Sequence, residues 1–269
     1  MWQMQRMVGA AAMAAAVMAP NAVSAQALSD QWQFGASIYG WLPDIHGNTT
    51  FPAGGSNLSV SASQIIGNLK FAGMGTFAAQ KDHWGVFTDL IYLDVGGSKS
   101  GTRDLTVGNV TLPAGVSANA SLDVKSSIWT LAGSYRVMAD PGSSFDVFAG
   151  FRSIELKQDL RWQFSADIGG IAPPPRSGGS EAKINNIDGI VGAKGRYAFG
   201  ANREWYVPYY VDVGTGQSDL TWQAVGGIGY TFSWGEAFAV WRYLDYNFKN
   251  AKIEDASFSG PAIGVAFHW

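Results

Sequence analysis

The sequence predicts an all-β chain: a single antiparallel up-and-down β-barrel of about ten strands, built to cross a membrane. Three observations predict it. Apolar and polar residues alternate with period two, the side-chain period of a strand, over ten stretches. Each stretch has at least about nine residues, the length a tilted strand needs to cross a bilayer. The connections alternate short and long, as in a barrel with turns at one end and loops at the other. Charged residues fill 14% of 269 positions, against roughly 25% in an ordinary soluble domain. No apolar run beyond the N-terminal segment approaches the ~18 residues of a transmembrane helix.

Residues 1–25 read as an address. Arg6 precedes the uncharged run Met7–Ala19, Pro20 breaks it, and Val23-Ser24-Ala25 supplies the small residues of a cleavage site. Removal of this secretory signal after Ala25 leaves one barrel domain, 26–269. Its strands are Trp32–Trp41, Leu69–Gln80, Trp84–Val95, Ala120–Val137 and Phe145–Leu156, followed by Ile184–Phe199, Trp205–Val213, Leu220–Phe232, Ala237–Phe248 and Phe258–Trp269. Ser61–Leu69 is a short helical candidate. Lys81–His83, Met138–Ser144, Gly200–Glu204 and Ser233–Glu236 are the short turns. Leu42–Asn68, Gly96–Asn119, Lys157–Lys183 and Lys249–Ser257 are long connections, and the tight Gly214–Asp219 breaks the alternation. The long ones carry turn formers: Pro52-Ala53-Gly54-Gly55, Pro173-Pro174-Pro175 and Ser177-Gly178-Gly179. A different division of Leu42–Asn68 or Gly96–Asn119 gives eight or twelve strands. An even count leaves both termini at the short-turn end.

Each strand has two faces, and the charges sort them. A cationic side chain facing mid-bilayer costs about 2–4 kcal/mol, so the uncharged parity faces lipid and the charged parity faces the lumen. In Phe145–Leu156 the first reads Phe145, Val147, Ala149, Phe151, and the second Asp146, Phe148, Gly150, Arg152. Collected over the chain, the lumen is expected to hold Lys70, Arg136, Arg152, Lys194, Arg196 and Arg242 against Asp89, Asp146, Asp188 and Asp212. Such groups pair and hydrogen-bond in a polar lumen, whereas unpaired charges are rarely buried in a dry core. Phe148, Tyr206 and Tyr210 share the inner parity and fill space. Aromatics such as Trp32, Trp84, Tyr135, Tyr197, Trp205, Phe267 and Trp269 collect at the short-turn end, the height of an interfacial belt.

Composition removes whole classes of chemistry. Cysteine is absent, which excludes disulfides, thiolate metal sites and cysteine nucleophiles. The net charge of -3 gives no basic footprint for nucleic acid. The three histidines, His46, His83 and His268, form no paired-ligand motif, and no nucleophile elbow or phosphate loop appears. No metal and no cofactor are expected. Glycines inside strands, such as Gly192 and Gly229, suit close packing in a curved wall.

The tail Gly264-Val265-Ala266-Phe267-His268-Trp269 resembles the closing strand of Gram-negative outer-membrane β-barrels, which alternates apolar residues up to a terminal aromatic. Arg242-Tyr243-Leu244-Asp245-Tyr246 resembles the penultimate strand of small opacity-type and outer-membrane-protein-A-type barrels. The resemblance implies an outer-membrane location and insertion by the barrel-assembly machinery, with Val265, Phe267 and Trp269 as the signal it reads. The usual terminal residue is Phe; here it is Trp269. It further implies outer-membrane lipid as the surroundings of a monomer. The expected role is structural or surface-directed, without catalysis. One alternative is a narrow channel or binding barrel for small solutes, anion-leaning because six bases face four acids. Another is an outer-membrane hydrolase: omptin-type proteases and lipid A deacylases use His with acidic or Ser partners at the outer face, and Asp44 and His46 lie in the first long connection.

Overall fold

The computed structural model describes residues 28–49, 56–101, 116–166, 176–249 and 254–269. The expected signal peptide, the Pro52–Gly55 turn and the Pro173–Pro175 run lie outside the described residues. The strands are β1 (Gln33–Trp41), β2 (Asp44–Thr49), β3 (Ser56–Val60), β4 (Leu69–Lys81), β5 (Trp84–Gly101), β6 (Val116–Asp140), β7 (Ser143–Ala166), β8 (Arg176–Phe199), β9 (Trp205–Gly216), β10 (Ser218–Thr231), β11 (Glu236–Phe248) and β12 (Asp255–His268). One helix, α1 (Ala62–Asn68), precedes β4.

Ten strands, β1 and β4 to β12, form a closed antiparallel barrel. Closure is made by β1 and β12, paired from Gly35–His268 to Trp41–Ala262. The short β2–β3 hairpin rides on the far end of β12 through Asp44–Ser259, Ile45–Phe258 and His46–Ser257. β2 continues β1 in the same register after a break at Leu42-Pro43, and Leu42 N–H still donates to the Pro261 carbonyl at 3.1 Å. The β1–β4 ladder ends at Ile38–Gly75. Beyond it Trp41 N–H bonds Met74 Sδ at 3.1 Å, and α1 buries Ile65.

The short turns lie where the spacing put them, with left-handed backbone at Asp82, Gly142, Gly200 and Arg203. Two long connections are shorter than expected. β5 runs to Gly101, β6 starts at Val116, β7 runs to Ala166 and β8 starts at Arg176, so Ser177-Gly178-Gly179 is strand, not loop. β6, β7 and β8 have 25, 24 and 24 residues, while β9 to β12 have 12 to 14. The β5–β8 side of the wall therefore stands well above the tight turn at Gln217.

The outer face is apolar through the middle of the wall. Ile38, Leu90, Val147, Val191, Val211, Ile228 and Ile263 are all exposed there. Rings gather at both borders. At the short-turn end Trp32, Phe34, Phe77 and Trp269 form one chain of contacts and Trp205, Tyr230, Phe232, Trp234 and Phe267 another. Toward the loop end lie Phe71–Tyr92, Trp129–Phe151 and Trp222–Tyr243, a second belt the sequence reading did not isolate. Two aromatic borders around an apolar band are what two membrane–water interfaces require.

The lumen is layered. Charged groups occupy the half nearer the short turns. The half toward the loops is apolar, packed by Ile91, Leu93, Ile128, Ile154, Leu156, Leu244, Phe248 and Phe258 with Ile65 of α1. That upper core was not foreseen, since the charged parity alone implied a polar lumen. Two glycines admit rings: a Cβ on Gly229 would overlap the Tyr206 ring, and one on Gly192 would sit 2.6 Å from Phe148.

Val191→Arg, in the apolar band, is expected to lower stability in lipid vesicles by about 2–4 kcal/mol. Asn185→Arg, on the same face of β8 beyond the band, is expected to cost under about 1 kcal/mol. Equilibrium denaturant unfolding of vesicle-reconstituted protein measures both.

Candidate functional site: the charged interior

The inner parity of the strands brings most of the expected charged residues together. Nearest the short turns, the Arg136 guanidinium grips Asp146 with two hydrogen bonds, Nε to Oδ1 at 2.8 Å and Nη2 to Oδ2 at 3.1 Å. Lys194 Nζ lies 3.6 Å from the same carboxylate and 4.6 Å above the Phe87 ring. Register dictates the first pair, because Arg136 and Asp146 are direct partners on β6 and β7. Beside them Arg196 donates to Glu236 at 2.5 Å while lying 3.9 Å over the Tyr206 ring, and His268 Nε2 is 3.5 Å from the second Glu236 oxygen.

A ring layer follows. Phe87 and Phe148 meet edge-on at 5.1 Å and Tyr210 stacks on Phe148 at 5.0 Å. Alongside and above it stand two arginines whose contacts cross the lumen. Arg152 on β7 forms an ion pair with Asp212 on β9 and reaches Thr130 on β6 and Thr221 on β10, each at 3.4 Å. Arg242 on β11 bonds Asp89 on β5 at 2.9 Å, Tyr39 on β1 at 2.9 Å and the adjacent Gln223 on β10 at 2.7 Å. Tyr39 in turn donates to Asp89 at 2.5 Å. The Arg152 and Asp212 side chains are both 0% exposed. A planar guanidinium with five donors suits this task, since it satisfies several acceptors from one fixed geometry.

Two of the expected residues behave otherwise. Asp188 is buried, yet its oxygens accept the Ser218 backbone N–H at 2.7 Å and hydroxyl at 2.8 Å, which fastens the β9–β10 turn. Lys70 is not in the lumen. A register shift between Leu69 and Phe71 turns its side chain outward, half-exposed, onto Asp123 at 2.5 Å. The Asp123 carboxylate holds the Lys70 ammonium above the usual lysine range. Glu236, expected in a turn, opens β11 on the inner parity instead. It was legible two-residue step by two-residue step from Arg242, one residue past the expected strand start. With Lys70 removed and Glu236 added, six bases become five and four acids become five among the described residues. Asp44 and His46 lie on exposed positions of the β2 hairpin, outside this interior. Among the described residues, no cluster of acidic and histidine side chains could hold a metal ion.

A closed barrel with lipid-compatible walls and ionic groups turned to its axis is the inverse of a soluble barrel. The class it defines is the transmembrane β-barrel. No family model matches the sequence, and no curated protein matches it significantly. Among solved structures, the chain is similar to the outer membrane protease OmpT from Escherichia coli, with 9% identity over 91% of this chain and 99% of that one, TM-score 0.48. It is similar to Ail, the attachment invasion locus protein of Yersinia pestis, with 10% identity over 89% and 99%, TM-score 0.33. It is also similar to CarO2 of Acinetobacter baumannii, with 15% identity over 86% and 100%, TM-score 0.26. Likeness at this level transfers no residue role.

Breaking one partner of a buried ion pair strands the other charge. Asp212→Asn is therefore expected to cost about 3–5 kcal/mol, whereas Arg152→Met combined with Asp212→Leu is expected to cost far less or nothing. Denaturant unfolding in vesicles distinguishes the two outcomes.

Proposed function

We propose that the protein is an integral barrel of the Gram-negative outer membrane that is closed to solutes and serves a structural or surface role without catalysis. The observation that carries this reading is cross-lumen pairing. Arg242 ties β11 to β1 and β5, Arg152 ties β7 to β9 and β10, and the pairs leave no exposed charge at that level. A conducting lumen needs ionic groups that face water and exchange partners with a solute; here they face one another. The five-to-five balance also removes the anion preference that six bases against four acids suggested. The apolar packing above, sealed by Ile65, adds a second barrier to hydrated solutes.

Against a hydrolase stands the engagement of the interior acids. Asp89, Asp146, Asp212 and Glu236 each hold a cation, and Asp188 holds Ser218. The monomer reading is supported by the wall, in which every described strand of the barrel is paired on both sides and, within the lipid-facing band, offers no open edge to a second copy. Assembly through Val265, Phe267 and Trp269 is supported by their place on the outward parity of the last strand, where Phe267 and Trp269 are exposed.

Planar-bilayer recording tests the closed barrel. The native protein is expected to give no conductance steps. Replacing Arg152, Asp212, Arg242 and Asp89 by Ala together with Ile65 and Phe248, so that both barriers are removed, is expected to introduce steps, with heat-dependent gel mobility confirming that the variant still closes. Steady conductance of the native protein would overturn the reading.

A further inference from the structure

β8 rises above its neighbour β9 with one side open. The β8–β9 ladder ends at Asp188–Gly216, and Gln217 then turns the chain into β10. Gln217 caps the last rung. Its backbone N–H donates to the Ile187 carbonyl at 3.2 Å, and its side-chain Oε1 accepts the Ile187 N–H at 2.9 Å. Beyond that cap β8 continues through residues 176–186, paired on its other side with β7 without a register shift.

Ile187 sends both backbone groups away from β7, and every second residue of a strand repeats that direction. Asn185, Lys183, Glu181, Gly179 and Ser177 therefore present five N–H groups and five carbonyls to the open side. Among the described residues no strand stands beside them. Native sheets protect such an edge with proline, a bulge or charge. Residues 176–186 contain no proline and no bulge, and residues 177–180 carry no charge.

The position of the edge decides what can occupy it. A further strand would lie about 4.8 Å from β8, directly above the β9–β10 turn. A wall strand of a second barrel in the same bilayer would have to continue down into the space that β9 fills, so a second copy does not fit. A segment extended over this height alone does fit, and its backbone supplies the complementary donors and acceptors. Its inward side chains come beside buried Ile184, and its outward ones beside exposed Lys183 and Asn185. The match is an extended peptide with apolar residues at alternate positions.

We propose that the open edge of β8 binds an extended peptide segment of another chain by strand addition, through main-chain hydrogen bonds along residues 177–185. The proposal names a partner for the surface role and rests on that reading for the loop end facing the exterior.

The test uses the full-length protein in nanodiscs. The probe is a synthetic peptide alternating Val and Thr, about nine residues long so that it spans the edge at ~3.3 Å per residue. Amide hydrogen exchange read by NMR is expected to be fast at Asn185, Lys183 and Glu181 in the protein alone, and to slow more than about tenfold at millimolar peptide. Of two probes N-methylated on opposite alternate sets of residues, one is expected to lose that protection and the other to keep it, because only one set points its N–H at β8. Glu181→Pro removes an N–H that makes no bond to β7, and is expected to weaken binding about tenfold or more with the barrel intact by heat-dependent gel mobility. Lys183→Ala keeps the backbone and is expected to bind as the native protein does. Slow exchange at these amides in the protein alone would show the edge already covered and overturns the proposal. So does absence of protection at millimolar peptide, or equal behaviour of the two methylated probes. The chain has no cysteine, so labelling of Ser177→Cys by an impermeant maleimide on intact cells reports separately whether the edge faces the exterior.

Discussion

A backbone in hydrocarbon has nowhere to send an unpaired N–H or C=O, and everything else in this molecule follows from that restriction. The sheet must close, and β1 and β12 close it. Among the described residues three prolines, Pro43, Pro208 and Pro261, lie at strand level, each of which removes a donor, and their positions show how little slack remains. Pro43 lies in the gap between β1 and β2, and Leu42 faces Pro261, so two missing donors fall in one irregular patch instead of two. Pro208 sits on β9 where the ladder to β10 skips from Tyr209–Gly226 to Tyr206–Gly229. Closure also fixes the inside. Once lipid claims one parity of every strand, the other parity points at a narrow axis, and the groups found there must satisfy one another.

That requirement explains why the interior charges are balanced and why arginine dominates their long-range links. Asp146 draws Arg136 from the facing position on the next strand. Asp89 and Arg242 come from strands that share no ladder, so their contact braces the barrel across its width. A buried ion pair is weak evidence of net stability, because desolvation consumes much of its attraction. Its structural consequence is different: with Tyr39, Gln223, Thr130 and Thr221 supplying further hydrogen bonds, the pairs link strands that share no ladder, and a slipped register would separate them.

The architecture was legible in the sequence because period two runs through the membrane-spanning part of the strands: the ten wall strands stand where alternation put them, and the helix lies within the separate helical candidate Ser61–Leu69. Strand ends were less legible, for a reason visible in β7. Its odd residues run Phe145, Val147, Ala149, Phe151 and then Glu155, Lys157, Asp159, Arg161; its even residues run Asp146, Phe148, Gly150, Arg152 and then Ile154, Leu156. The pairing with β8 runs without a shift throughout. The strand does not end, but the polarity of its two faces exchanges, and alternation followed in one phase stops near the exchange. The same exchange hid the apolar upper core. Lys70 was misplaced by a bulge, which leaves no mark in a parity count, and Glu236 by an end set one residue short.

The exchange of faces also accounts for the uneven height of the wall. Below it the strands obey the rule of lipid, apolar outside and ionic within. Above it they obey the rule of water, with Lys125, Lys157 and Lys183 outside and Leu93, Leu156 and Ile184 within. A wall that switches rules needs something apolar to pack against once it leaves the bilayer, since a soluble sheet buries one face. The tall β5–β8 side finds that partner across the lumen in Leu244, Phe248 and Phe258 and in Ile65 of α1. The helix is thus the counterpart of the missing wall: where β1 and β4 part above Ile38 and Gly75, a buried isoleucine completes the core that strand pairing no longer encloses. The height at which charge appears on the outer face is in this sense the same fact as the height at which it vanishes from the inner one.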